Sequence, residues 1–394
     1  MFICVAGKND IAVGILEYLI KNQNSRYELG VICNRTETGK NNWQKSLRYY
    51  AKENNIKEFF LDEVYDIPEL VFLSMEFDQL VKPSLFKDAR LYNIHFSLLP
   101  AYKGMYTSVF PILNGEKDVG VTFHEIDAGI DTGNIIRQTR FELKEEYNCR
   151  DLYLQYIKHG IKLVTDCLED VISNNVFSYE QPMQNSTYYS RKTIDYNELK
   201  IDLIQTADKI KKQIRAFCFR EYQLPMVLGK RIIDAEITKN RSIQKAGTVI
   251  SENEQGMLIA TIDYDIVLYF DRLDELINAC QMGDLNTVKD ICNVKRHINE
   301  TNNHGWTPLI AATYHNRKNV VEFLLMHGAN LHVTNYNGTN LLMYAKEAYL
   351  LSGDNSIFKM FYQCGLNEHI SDYSGKNLLY YLKVNEISLE ELLR

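Results

Sequence analysis

No Cys-x-x-Cys pair occurs among the eight cysteines of this chain, at positions 4, 33, 149, 167, 218, 280, 292 and 364. They are scattered through stretches that read as strands and helices. Reduced, buried thiols fit that distribution, whereas a disulfide framework or a zinc site needs paired or clustered ligands, so no metal is expected. The Gly-x-Gly-x-x-Gly dinucleotide fingerprint is missing, and so is a phosphate loop ending in Gly-Lys-Ser/Thr. No run approaches the roughly 18 apolar residues of a membrane span. The opening MFICVAGKND carries no basic region ahead of an apolar one, and the reading is a cytoplasmic protein without a membrane partner. A cationic excess is also lacking: 44 Lys and Arg stand against 51 Asp and Glu, a formal charge of −7. That argues against a nucleic-acid partner held by a broad basic surface, while a small anionic ligand needs only a local pocket.

What is present is length and pattern. The 394 residues exceed one ordinary core, and at roughly 100–200 residues per domain they should form two or three. Over the first 180 or so, apolar runs at 2–6, 30–33, 70–73 and 91–95 read as strands, and 11–20 and 43–54 as helices. Such alternation implies an α/β fold with a mainly parallel sheet and helices on both faces. Residues 206–217 read as an amphipathic helix. Short strand candidates follow at 226–228, 231–238, 247–250, 257–262 and 266–270, which suggest a small β-barrel or sandwich. In the last segment Ala279, Ala312 and Ala345 stand 33 residues apart, as do Gly305 and Gly338. The middle copy, with Thr307-Pro308-Leu309 opening one helix and Gly328-Ala329 ending the next, resembles the ankyrin repeat. The flanking copies are weaker, as water-facing caps should be. The expected boundaries are 1–185, 186–272 and 273–394.

Asn93-Ile94-His95 ends a strand-like stretch, just before the turn Ser97-Leu98-Leu99-Pro100-Ala101-Tyr102-Lys103-Gly104. Open α/β sheets bind ligands at the carboxyl ends of strands. Further on comes His124-Glu125-Ile126-Asp127-Ala128-Gly129-Ile130-Asp131-Thr132-Gly133. An amide, an imidazole and a carboxylate are the minimum for moving an acyl group onto an amine. An imidazole, with an ordinary pKa of about 6.5, suits proton exchange with the attacking nitrogen. An amide N–H can donate to a developing oxyanion, and a carboxylate can orient the imidazole or relay its proton.

Asn93, His95 and Asp131, with the loop 97–104 and the segment 120–133, resemble the formyltransferases that use N10-formyltetrahydrofolate. The resemblance covers residues 1–180 with specific motifs and 185–270 more loosely. It implies a Rossmann-like catalytic domain, then a small β-rich domain, with the helical ankyrin repeats last. It implies Asn93, His95 and Asp131 as catalytic residues and places the folate pterin beside Met75, Phe77, Leu80, Ile126 and Asp127. Gly7-Lys8-Asn9 and the stretch 217–225 are similar to the enzymes that formylate nucleotide-linked amino sugars. Lys8, Asn9, Lys103 and Tyr222 are accordingly candidates for the nucleotide-sugar side. Within that group, the ankyrin-bearing architecture resembles enzymes that act on a dTDP-linked 3-amino-3,6-dideoxyhexose, and the family resemblance implies a homodimer working in bacterial surface-polysaccharide (O-antigen) synthesis. A 4-amino sugar, a UDP carrier, methionyl-tRNA and a non-catalytic interaction scaffold stay open as alternatives. The repeats are read as a surface for a protein or ligand, with Trp306, His304, Asn335 and Tyr336 as a candidate second nucleotide site.

Overall fold

In β1 (Phe2–Gly7), Ile3 and Val5 pack into one apolar layer and Cys4 and Ala6 into another, the alternation of a strand covered on both faces. The structure is a computed structural model describing residues 1–23, 26–197 and 199–394, and it divides into two units, Met1–Pro225 and Met226–Arg394. In the first unit β1 is followed by α1 (Asn9–Lys21), β2 (Glu28–Cys33), α2 (Leu47–Glu53), β3 (Lys57–Glu58), β4 (Leu70–Met75) and β5 (Ala89–His95). Then come β6 (Lys103–Gly104), α3 (Phe110–Asn114), β7 (Asp118–Glu125), β8 (Ile135–Glu142), α4 (Cys149–Ile172), β9 (Tyr188–Tyr189) and α5 (Ala207–Phe217). The main sheet runs β3-β2-β1-β4-β5-β7-β8, parallel through β5 and antiparallel from β5 to β8. Strand order reverses between β1 and β4, the topological switch point where open α/β sheets take ligands.

Two expectations shift. The helix read over 43–54 is confined to α2, because Ser46 Oγ caps it by accepting from Tyr49 N at 3.1 Å. Trp43 is thereby left in the preceding loop. The helix expected over 206–217 forms as α5 and belongs to the first unit, in whose core Ala216 and Phe217 are buried.

The second unit begins with β10 (Met226–Val227), β11 (Lys230–Arg241), β12 (Val249–Glu252), β13 (Gly256–Ile259) and β14 (Tyr264–Phe270). They form one antiparallel sheet in the order β10-β11-β14-β13-β12. Helices α6 (Leu273–Met282) and α7 (Leu285–Cys292), α8 (Pro308–Tyr314) and α9 (Lys318–Met326), α10 (Leu341–Ser352) and α11 (Ser356–Gln363), and α12 (Leu378–Val384) and α13 (Leu389–Leu393) then stack in pairs over one apolar cluster. Thr307, Asn340 and Asn377 each cap a helix by accepting from the backbone N–H three residues on, at 3.2, 3.1 and 3.0 Å. Asparagine does the capping work of threonine, which is how the two copies after the middle one dispense with the Thr-Pro-Leu turn.

The close packing of β1 against β4 needs a glycine. A Cβ on Gly7 would lie 1.8 Å from the Met75 carbonyl oxygen, and its φ of 152° already disfavours a side chain. Gly7→Ala is expected to lower stability by about 1–3 kcal/mol, the cost of overpacking, read as a lower urea midpoint; an unchanged midpoint would show that the two strands can part freely.

Candidate active site

Strand alternation turns Tyr92 and Ile94 into the layer beneath α1 and α4, while Leu91 packs on the opposite face with Phe72. Asn93 and His95 therefore share the Leu91 face. Antiparallel pairing with β7 sets Asn93 opposite His124 and His95 opposite Thr122. His124 Nδ1 lies 2.7 Å from the Glu125 carbonyl, which only accepts, so Nδ1 carries the proton. Its Nε2 is then a lone pair, accepting from Asn93 Nδ2 at 3.0 Å. The amide of Asn93 is fixed by that bond with its N–H groups toward His124 and toward Asp131 Oδ1, 3.5 Å away.

His95 is buried, and its Nε2 donates to the Tyr102 carbonyl at 2.8 Å. Nδ1 remains for proton exchange and faces Asp131 Oδ2 at 3.5 Å. Asp131 sits in a left-handed turn, φ 55°, and its Oδ2 accepts from Gly104 N at 2.8 Å. Its backbone is held by Gln181, whose Nε2 donates to the carbonyls of Asp131 and Gly133, both at 2.8 Å. Tyr102 N donates to Thr187 Oγ1 at 2.7 Å, and β6 pairs with β9. One crossing segment, around residues 179–189, thus ties down both loops of the site.

On the Asn93 face, Phe77 and Ile126 are partly buried against the Phe72 layer, Phe77 edge-on to Phe72, and Leu80 is exposed. Exposed and half-buried apolar groups on this face suit a flat aromatic ring. Met75 is buried, and its carbonyl accepts from Lys8 N. Asp127 Oδ1 accepts from Gly129 N at 3.0 Å and from Thr132 Oγ1 at 2.6 Å, closing the turn that presents Asp131.

Lys8, Asn9 and Tyr222 meet in a pocket of about 250 Å³ at the switch point, joined there by Trp43, Lys40 and Lys45. Trp43 packs edge-on against Tyr222 and carries the Arg150 guanidinium over its ring, itself paired with Glu221 at 2.7 Å. Lysines beside two aromatic rings suit a base and phosphates. Lys103, on β6, lies outside this pocket. In the repeats, Trp306 packs on Tyr314 and Tyr344, Asn335 donates to Tyr344 Oη at 2.8 Å, Tyr336 donates to the Asn302 carbonyl at 3.1 Å, and His304 is exposed. Among the described residues no group of three His, Cys, Asp or Glu is placed to hold a metal, and no helix is long and apolar enough to cross a membrane.

Sequence reasoning named His124 without giving it a role, placed Trp43 on a helix, and missed Gln181. The pairing of His124 with Asn93 is a matter of strand register, and Gln181 lies in a stretch with no period to read.

An amide, an imidazole and a carboxylate gathered at the carboxyl edge of a doubly wound sheet mark an enzyme that transfers an acyl group. Residues 51–168 match the family described as Formyl transferase, 193–273 the Formyl transferase C-terminal domain, and 276–372 Ankyrin repeats (3 copies). The crystal structure of WlaRD, a sugar 3N-formyl transferase in the presence of dTDP and 5-N-formyl-THF, is 43% identical, with 68% of this chain and 97% of that one covered and a TM-score of 0.64. The N-formyltransferase from Helicobacter canadensis, in complex with folinic acid and dTDP-3-aminofucose, is 42% identical over 68% of this chain and 99% of that one, again at 0.64. A methionyl-tRNA formyltransferase from Clostridioides difficile (strain 630) is 27% identical over 67% of this chain and 89% of its own. The chain belongs to the formyltransferase family and is an N-formyltransferase with ankyrin repeats.

Burial holds the His124 imidazole well below its ordinary pKa, against the opposing pull of Asp131. Above about pH 6.5 it is neutral in the folded and unfolded chain alike. Below that the unfolded chain takes up a proton that the folded one refuses, so stability falls as the pH falls. His124→Gln is expected to flatten the decline of Tm between about pH 7 and 5; an unchanged slope would mean that His124 is not held neutral.

Proposed function

We propose that this enzyme moves the formyl group of N10-formyltetrahydrofolate onto the amine of a dTDP-linked 3-amino-3,6-dideoxyhexose, in the synthesis of a bacterial surface polysaccharide (O-antigen). The observation that carries the reading is the trio Asn93, His95 and Asp131 set between an apolar face and a lysine- and tryptophan-lined pocket. It is supported by 43% identity across nearly all of a sugar 3N-formyl transferase. The folate supplies a one-carbon acyl group on nitrogen, and the Phe77–Leu80–Ile126 face accommodates its ring. Asn93 keeps one Nδ2 N–H on His124 and turns the other, which makes only a long 3.5 Å contact with Asp131 Oδ1, to the oxygen that gains charge as the amine adds to the formyl carbon. His95 takes the proton released by that nitrogen at Nδ1, since Nε2 already donates to Tyr102. Asp131 then faces an imidazolium and stabilises it before the proton passes to the departing folate nitrogen. Lys8, Asn9 and Tyr222 hold the nucleotide, with Lys103 contributing from β6. Met75 and Asp127 shape the folate side.

A cytoplasmic homodimer belongs to this reading. Methionyl-tRNA is the weaker alternative, because identity to those enzymes runs from 24% to 32%, against 43% to the sugar 3N-formyl transferase, and the chain has a net charge of −7.

The deciding assay mixes purified protein, N10-formyltetrahydrofolate and a panel of dTDP- and UDP-linked 3-amino and 4-amino sugars, following tetrahydrofolate release and the gain of one formyl group by mass. One dTDP-linked 3-amino sugar is expected to react, with no turnover by His95→Ala and a loss of about 10²–10³ in kcat for Asn93→Ala. Silence across the panel from folded protein would turn the reading toward tRNA. The Trp306, Tyr336, Asn335 and His304 cluster is proposed as a second nucleotide site. Calorimetry of Trp306→Ala should show one nucleotide-sugar site fewer per chain, and unchanged stoichiometry and affinity would remove that site.

A further inference from the structure

One carboxylate at the carboxyl edge of the sheet has no part in the chemistry above. Glu76 follows the last residue of β4, and the pairings Gly7 with Met75 and Met75 with Ile94 set it between Lys8 on one side and His95 on the other. Its backbone is left-handed, φ 58°, and so is that of Asn9, φ 62°. Such conformations are unfavourable for residues with side chains and cluster at functional sites. The turn swings the Glu76 side chain toward α1 and α4, away from the face of Asn93. There Oε2 accepts from Tyr153 Oη at 2.7 Å and from Asn9 Nδ2 at 3.4 Å, while Asn9 Nδ2 also donates to Tyr153 Oη at 2.9 Å. Asn34 Nδ2 donates to the Glu76 carbonyl at 2.8 Å and fixes the backbone. Among the described residues none donates to Oε1.

Burial pushes the Glu76 carboxyl above its ordinary value, against the pull of Tyr153, Lys8 and Asn9. Its charge reaches Tyr222 across the pocket: burial first, then Glu76, raises that phenol to about 12. Because β4 lies between β1 and β5, a nucleotide held by Lys8, Trp43 and Tyr222 carries its sugar past Glu76 to bring an amine to His95. A carboxylate oxygen only accepts, and a partly desolvated acceptor forms its strongest bonds with O–H or N–H donors.

We infer that Glu76 is a specificity-determining residue of the acceptor site: Oε1 accepts a hydrogen bond from the hexose hydroxyl neighbouring the reacting amine and so turns that amine toward His95. This rests on the amino-sugar reading given above. Tyr153 and Asn9 hold the carboxylate in place, and the sugar supplies the donor that the protein does not.

The test compares the full chain on the amino sugar it formylates and on the same nucleotide sugar lacking that hydroxyl. Wild type is expected to lose about 10–100-fold in kcat/KM on the deoxygenated sugar, the range for a hydrogen bond to a charged group. Glu76→Gln is expected to lose a similar factor on the hydroxylated sugar and to treat the two sugars alike, which a merely structural role would not produce. Tyr153→Phe, which removes only the hydroxyl orienting the carboxylate, should give the same pattern at smaller amplitude and serves if the Gln variant does not fold. A wild type indifferent to the hydroxyl, or a folded Glu76→Gln that discriminates as wild type does, overturns the inference alone. Absence of turnover on every nucleotide-linked amino sugar overturns the functional reading and the inference with it.

Discussion

The candidate active site depends on the register in which β5 meets β7. With Asn93 facing His124, a neutral imidazole with one proton committed to a backbone carbonyl dictates which way the amide of Asn93 points. Asn93 in turn lies near Asp131, and Asp131 lies near Nδ1 of His95. A slip of one residue would send Asn93 and His95 to the opposite face of the sheet. The buried contacts Thr122 Oγ1 to the Ser97 carbonyl, 2.6 Å, and Leu99 N to Thr122 Oγ1, 3.1 Å, hold the same register from the loop side. Register here fixes a protonation state as well as a position.

Because the sheet is covered on both faces, the two substrates of the proposed reaction need not compete for one surface. The apolar face with Phe77 and Ile126 lies on the Asn93 side, and the pocket with Lys8, Trp43 and Tyr222 at the start of α1. They converge only at the carboxyl ends of β4 and β5. Gly7 makes that convergence tight by letting β1 and β4 approach without a side chain between them.

How much of this was legible in the sequence follows from the range of each interaction. Strands, helices and the repeat were readable because period and spacing are local; Thr307 announces a helix start as plainly as any cap. Asn93, His95 and Asp131 were readable through motif context. Trp43 was not, because an apolar aromatic just before a helix looks like part of it, and only the Ser46 cap excludes it. Gln181 and the orientation of Glu76 were closed to inspection: one acts through carbonyls 48 and 50 residues away, the other through a backbone φ.

The segment that crosses behind the site has an energetic meaning. Gln181 reaches a residue 50 positions back, and Thr187 one 85 positions back. Each of these bonds closes a long stretch of chain on a single contact, whereas the similarly distant pairing of β1 with β4 spreads that cost over the six residue pairs from Phe2 with Leu70 to Gly7 with Met75, which leaves less holding the loops around Tyr102 and Asp131. They are also the part that opens at least expense to the whole, since the ladders of β1, β4 and β5 do not depend on them. A single nick in the chain between α4 and β9 would leave a folded α/β sheet with its acid–base chemistry unassembled.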